Sequence, residues 1–191
     1  GGDPMRLLGP ISDLSDLADR FVESLVYLPI APMMHAAAQW TSFMWFFAGG
    51  TVVLVPGSFD AEAAWDLVSS EGVNILTMVG DAVTKPMIDT FEAHPGRWDT
   101  SSLYALANGA APLSPSVRTR VAAAFPTCMV TDGMGSSESG IQGAARSTPG
   151  ADEGTTATGS LAGGVAAFSV SETTTVLDED LRPVEPGSGV V

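Results

Sequence analysis

The segment with the most chemical content is Thr131-Asp-Gly-Met-Gly-Ser-Ser-Glu-Ser-Gly140. It follows an apolar run that reads as a strand, and in an open α/β sheet ligands bind at the carboxyl ends of strands. Gly133 and Gly135 let the backbone approach a ligand closely. The hydroxyls of Ser136 and Ser137 can hydrogen-bond phosphate oxygens. Glu138 is a hard ligand of the kind Mg²⁺ takes, one or two carboxylates beside phosphates. The same composition also suits an ordinary Ser/Gly turn at a strand end. Two other chemistries are excluded. A dinucleotide fingerprint needs a third glycine where Glu138 stands. A nucleophile elbow, Gly-x-Ser-x-Gly, fails because position 139 is Ser.

A second segment, Asn108-Gly-Ala-Ala-Pro112, also follows a strand-like run. Its small residues, Gly109, Ala110 and Ala111, leave a flat backbone surface on which a planar ring can lie. They equally suit a tightly packed βα loop. The third segment is Pro32-Met-Met-His-Ala-Ala-Ala38. His35 stands at a helix start after a Pro-rich loop, where a side chain can point into a cleft, although a lone histidine is more often structural. His94, before Pro95-Gly96, reads as a surface turn residue.

These segments need elements to hold them. Leu14, Leu17, Phe21, Leu25 and Leu28 recur at helical spacing and predict an amphipathic helix over Ile11–Leu28. Ala36–Phe47 predicts a strongly apolar helix closed by Gly49-Gly50. Thr51–Val55 reads as a strand, and Asp60 as the N-cap of a helix running through Ser70. Val73–Val79, Leu103–Ala107 and Thr127–Thr131 read as further short apolar strands. Helices are expected over Ala82–Ala93 and from Ser114-Pro115, a cap followed by proline at the first helical position, through Ala124. Short apolar strands alternating with helices predict an α/β fold: a three-layer, mostly parallel sheet with helices on both faces. Ala144–Thr158 is Gly/Thr/Ala-rich and reads as a loop. Ala166–Val170 and Thr174–Leu177 suggest an antiparallel unit with a turn at Asp178–Asp180. The expected organisation is a helical lead-in over 1–28, an α/β unit over 29–143, and a loop opening a β unit over 144–191. The last residues, Gly189-Val-Val191, read as strand, which suggests a piece of a longer protein.

Composition narrows the function. Eight Lys+Arg against 22 Asp+Glu give a formal charge of −14 over 191 residues. So acidic a surface repels nucleic-acid phosphates and anionic lipid. No apolar run approaches the roughly 20 residues needed to span a bilayer. One cysteine, Cys128, beside eight methionines fits a reducing, cytoplasmic setting and gives no metal framework. A phosphate-bearing ligand would have to be met by metal ions, by backbone N–H groups, or by basic residues elsewhere in a longer protein.

Taken in order, these segments resemble the adenylate-forming superfamily of acyl-CoA synthetases, luciferases and adenylation domains. Pro29–His35 resembles the family's Pro-x-x-His segment, and Gly49-Gly-Thr-Val-Val-Leu54 the strand after it. Asn108–Leu113 resembles its Ser-Gly-Gly-Ala-Pro-Leu adenine loop. Met134-Gly-Ser-Ser-Glu138 resembles its Tyr-Gly-x-Thr-Glu motif, and Val176–Gly189 the hairpin opening a small β-barrel portion. The likeness spans roughly Tyr27–Val191.

The resemblance implies that Glu138 holds Mg²⁺ and Ser137 contacts the α-phosphate. Gly109, Ala110, Ala111 and Pro112 would flank adenine on one side, with Gly133, Met134 and Gly135 on the other and Asp132 near its amino group. His35 would stand where the acyl pocket meets the pantetheine tunnel, with Ala36, Ala37, Trp40, Ser136 and Gly140 around a roomy apolar pocket. Trp40, Met44 and Phe47 would form its floor. The implied reaction consumes ATP and a bulky hydrophobic carboxylic acid, forms acyl-AMP, and passes the acyl group to coenzyme A. Met134 replaces the family's aromatic and Ser137 its threonine. The family's lysine-bearing triphosphate loop, its ribose-binding aspartate and its C-terminal lysine domain have no counterpart in these 191 residues, so the segment alone is expected to be inactive. A non-enzymatic nucleotide- or acyl-binding module and a ligase loading a carrier protein share the same motifs.

Overall fold

The computed structural model describes residues 25–138, 140–147, 169–170, 175 and 177–184. Its strands are β1 (Val26–Pro29), β2 (Thr51–Val52), β3 (Ile75–Met78), β4 (Ala105–Asn108), β5 (Met129–Ser136), β6 (Gly140–Ser147) and β7 (Ser169–Val170). Its helices are α1 (Ala36–Phe47), α2 (Ala61–Glu71), α3 (Gly80–Ala93) and α4 (Pro115–Ala124). All the strands join one sheet in the order β2-β1-β3-β4-β5-β6-β7. The first five are parallel, and β6 and β7 continue the sheet antiparallel.

Register places Tyr27, Ile75, Ala105 and Met129 in one row and Leu28, Leu76, Leu106 and Val130 in the next. Successive rows point to opposite faces. The Leu28 row packs against Trp65 of α2, Met87 and Ile88 of α3 and Val117 and Val121 of α4. The Tyr27 row packs against Trp45 and Ala48 at the end of α1. Helices therefore cover both faces, as expected. Burial pushes the Tyr27 hydroxyl up to about 12, so it stays neutral and donates to Thr77 Oγ1 at 2.9 Å.

Local chemistry sets the helix ends. Asp60 accepts the Ala63 N–H at 2.9 Å, and Gly72 closes α2 in a left-handed conformation. Ser114 caps α4 with Pro115 inside its first turn. α1 is apolar all round. Ala38, Ser42 and Trp45 face inward, while Trp40, Phe43, Phe46 and Phe47 remain about half exposed.

Several expectations are corrected. The helix through Leu28 is wrong at its end, because Val26–Pro29 is β1, with Tyr27 and Leu28 fully buried from opposite sides. Residues 11–24 lie outside the described ones. The strand Thr51–Val55 shortens to Thr51–Val52. The strand Thr127–Thr131 begins two residues later and runs on to Ser136, so most of the glycine-serine segment is strand and not a loop after one. Ala144–Ser147, expected as loop, is the second half of β6. Ser169–Val170 is a strand as expected, and Leu177 bridges Pro183 across the turn at Asp178–Asp180. A separate β-barrel-like unit is not shown by the described residues.

Candidate functional site

The carboxyl ends of β3 and β4 meet the middle of β5 at one polar knot. Asn108, the last residue of β4, and Asp132, where β5 stops pairing with β4, are register partners, and both are buried. Asn108 Oδ1 accepts the Gly80 N–H at 2.7 Å. Its Nδ2 donates to the Ala111 carbonyl at 2.9 Å and to Asp132 Oδ1 at 2.7 Å. The second Asp132 oxygen pairs with the Arg118 guanidinium of α4. Asp81, in the first turn of α3, accepts the Ser114 N–H at 2.8 Å. The Ser114 backbone and hydroxyl hydrogen bonds hold the Asp81 carboxyl below the usual aspartate range. These links tie both ends of the β4–α4 loop to the start of α3.

The loop itself is bent sharply. Ala110 has φ 64°, and the Ala111 N–H bonds the Gly109 carbonyl at 2.8 Å. An i→i+2 bond about a residue of positive φ is the rarer, strained γ-turn. A side chain in the left-handed region costs roughly 1–2 kcal/mol, and glycine at the same position gives back roughly 0.5–1 kcal/mol in unfolded-state entropy. Ala110→Gly should therefore raise stability by about 0.5–1 kcal/mol. The change should be read as a higher urea midpoint at unchanged slope. A lower midpoint would show that the Ala110 methyl packs more usefully than its strain costs.

Gly109 and Gly133 lie side by side across β4 and β5. A methyl added to Gly109 would meet the Gly133 carbonyl at 3.9 Å, and one added to Gly133 would meet the Asn108 carbonyl at 3.7 Å. Both are ordinary contacts, so two backbone edges lie flush and open. Met134, 37% exposed, follows on β5, and the β5–β6 pairing shifts register between Met134 and Gly135. Such a bulge re-aims the residues beyond it. Ser136, Ser137 and Glu138 are exposed there, and Gly140 pairs with Ser136 across the hairpin.

A cavity of about 560 Å³ lies beside the loop. It sits at the carboxyl ends of β1 and β3, where the chain reverses its direction across the sheet, the usual ligand crevice of an open α/β sheet. Ile30, Met33, Leu54, Val79 and Val83 make it apolar, and among the described residues His35 is the one titratable side chain lining it. Ala110 belongs to its wall.

The structure thus brings Gly109 beside Gly133, sets Ala111 and Pro112 against Gly80, links Ala111 to Asp132 through Asn108, and puts His35, Ala37 and Ala110 on the cavity. Ala36, Trp40, Ser136 and Gly140 do not line that cavity. Trp40 is 46% exposed on α1. Of the expected floor, Phe47 is exposed, and Met44 packs with the Tyr27 row. Sequence reasoning missed the Asn108 side chain, Arg118, Gly80 and Asp81. Only Gly80, a glycine at a strand-to-helix junction, carried a local signal.

The model of the family described as AMP-binding enzyme matches residues 10–189. A 3-oxocholest-4-en-26-oate–CoA ligase of Rhodococcus rhodochrous is 38% identical over 171 residues, covering 87% of this chain and 29% of the ligase. A medium/long-chain-fatty-acid–CoA/3-oxocholest-4-en-26-oate–CoA ligase of Mycolicibacterium smegmatis is 35% identical, covering all of this chain and 34% of the ligase. The chain thus spans about a third of the length of the curated relatives it matches. Among solved structures, the luciferase-like enzyme of the mealworm Zophobas morio superposes with a TM-score of 0.62 at 21% identity, over 85% of this chain and 37% of that one. A variant of the amide bond synthetase of Marinactinospora thermotolerans also reaches 0.62, at 22% identity, over 92% of this chain and 34% of that one. These two likenesses bear on the fold alone. By the family match and the ligase identities, the chain belongs to the AMP-binding enzyme family.

Proposed function

We propose that this chain is the portion of an ATP-dependent acid–CoA ligase that seats adenine against the β4–α4 loop and a bulky hydrophobic acid in the adjoining cavity. The observation that carries the reading is the double membership of Ala110, which is part of the bent loop and of the cavity wall. An acid lying in the cavity with its carboxylate toward Ala110 would present that carboxylate beside a nucleotide on the loop. The carboxylate attacks the α-phosphorus, forming acyl-AMP and releasing pyrophosphate, and the thiol of coenzyme A then displaces AMP. Gly109, Ala110 and Ala111 form one wall for adenine, and Met134 supplies a soft, polarizable one on the other. Ser137 and Glu138 serve the phosphates. Among the described residues no three His, Cys, Asp or Glu cluster as a metal site, so Glu138 suits Mg²⁺ arriving on the triphosphate better than a resident ion. When bound, that ion offsets phosphate charge. His35, which lines the cavity, would meet the incoming thiol. A cytoplasmic setting suits ATP and coenzyme A as co-substrates. No helix among the described residues is long and apolar enough to cross a membrane.

A volume of this size suits a ligand of some hundreds of daltons, and among the described residues its lining holds no carboxylate to pair a substrate ammonium. The relatives named for fatty acids and for a sterol side-chain acid support the same class. ATP–pyrophosphate exchange by the whole enzyme should favour long-chain or sterol side-chain acids over acetate or amino acids by more than about tenfold, since apolar fit is worth that much per few methylenes. Ala37→Phe should shift the preference to smaller acids. A wild-type preference for acetate or an amino acid would sink the substrate reading. Release of AMP with coenzyme A, set against release with a carrier protein, identifies the acceptor.

A further inference from the structure

The Asp132 carboxylate stands where the resemblance puts a contact to the adenine amino group, but in this chain it is committed elsewhere. Its side chain is only 5% exposed. One oxygen takes the Asn108 amide at 2.7 Å and the other the Arg118 guanidinium. Asn108 spends both amide hydrogens and its oxygen on Asp132, Ala111 and Gly80. A line of contacts therefore runs from α4, through the middle of β5 and the end of β4, to the strained loop. For Asp132 to swing toward a base, it would leave a guanidinium that is itself 17% exposed without its partner, and breaking such a pair is strongly unfavourable.

We propose that Arg118 and Asp132 are positioning residues for nucleotide binding, clamping the Gly109–Pro112 loop at a fixed height against Gly133, and that the Asp132 side chain does not read the base. The inference rests on the nucleotide reading above. It separates from an ordinary structural role because the clamp bonds the loop at Ala111, which does not line the cavity, and reaches the cavity wall only indirectly, through Ala110 of the same loop. The acid should therefore feel its loss less than the nucleotide does.

The test uses the whole enzyme, with ATP–pyrophosphate exchange measured on ATP and on ITP, which carries a 6-oxo group in place of the 6-amino group, and with AMP affinity by calorimetry. Arg118→Met should raise KM for ATP by about tenfold or more, because small misplacements of binding groups cost that much. KM for the acid should rise by less than KM for ATP. Arg118→Lys, which keeps the charge but not the fork, should lose less. Asp132→Asn keeps an acceptor for Asn108 and loses the charge. It should raise KM for ATP and ITP alike, leaving the ATP:ITP preference within about twofold. A shift of that preference toward ITP by about tenfold or more in Asp132→Asn would overturn the inference, since an amide that reads the base can donate to the 6-oxo group. Unaltered KM for ATP in folded Arg118→Met or Asp132→Asn would overturn it too. Should Arg118→Met fail to fold, the Asp132→Asn ratio decides. A wild type that binds AMP but exchanges with no acid strikes the ligase reading, while the variants' AMP affinities still judge the clamp. A wild type that does not bind AMP strikes both.

Discussion

Under the proposed function, Glu138→Gln is expected to slow ATP–pyrophosphate exchange by the whole protein by about a hundredfold or more, with the melting temperature unchanged. Removing one preorganised group that stabilises developing charge costs this much in other enzymes, and here the carboxylate would act through the Mg²⁺ it holds. The amide is isosteric but neutral, so it no longer draws Mg²⁺–triphosphate. Stability should not follow, because Glu138 is exposed in the turn between β5 and β6. The register shift between Met134 and Gly135 lies just before it, so the turn departs from the plain course of β5. Exchange at the wild-type rate in Glu138→Gln would remove this residue from the site.

Gly80→Ala should destabilise the protein by about 3 kcal/mol and weaken nucleotide binding, from two additive causes. Gly80 opens α3 with φ 49°, where a side chain is strained. Its Cβ would also lie 2.6 Å from the Ala111 Cβ and 3.1 Å from the Pro112 carbonyl. Neither neighbour is a flexible side-chain end, so the loop itself must move. That would strain the bond from Asn108 to Ala111 and the Gly80 N–H bond to Asn108 at once. Gly96→Ala separates the causes. Gly96 has φ 77° and nothing within 4 Å of an added Cβ, so it should show strain of only about 1 kcal/mol. Denaturant midpoints and KM for ATP measure both. Equal losses in the two variants, with KM for ATP unmoved, would show that the close approach at Gly80 does not hold the loop.

What could be read in the sequence was local. Asp60, Ser114-Pro115 and Gly49-Gly50 mark the ends of α2, α4 and α1 because caps and breakers act over a few residues. β1 escaped because Leu25-Val-Tyr-Leu28 satisfies a helical stripe and a doubly buried strand equally well. β5 was cut short because Gly133, Gly135 and Ser136 are poor strand formers. They are held in the sheet by pairing with β6, a tertiary contact that propensity does not register. The Asn108–Leu113 and Met134–Glu138 segments were recognisable as a family pattern, but the meeting of Gly109 and Gly133 depends on the β4–β5 register. Asn108, Asp132 and Arg118 were harder still. Single polar residues carry no period, and only the fold shows that they share one proton-and-charge ledger.

The position of β1 matters for how this protein is made. It is the first of the described strands to leave the ribosome, yet it lies between β2 and β3 in the finished sheet. Its Val26 N–H bonds Asn74 Oδ1, 48 residues along the chain, and the Tyr27 hydroxyl bonds Thr77, 50 residues along. At about 5–20 residues per second, roughly 3–10 s pass before the second partner exists outside the exit tunnel. For that time an apolar strand waits with at least one unpaired edge, and such edges recruit other chains. Parallel pairing over long loops is also slow once the partners are present. Nascent chains of this family member are therefore most exposed to misassociation while β1 is out and β3 is not, and a chaperone acting on synthesis would have most to protect in that interval.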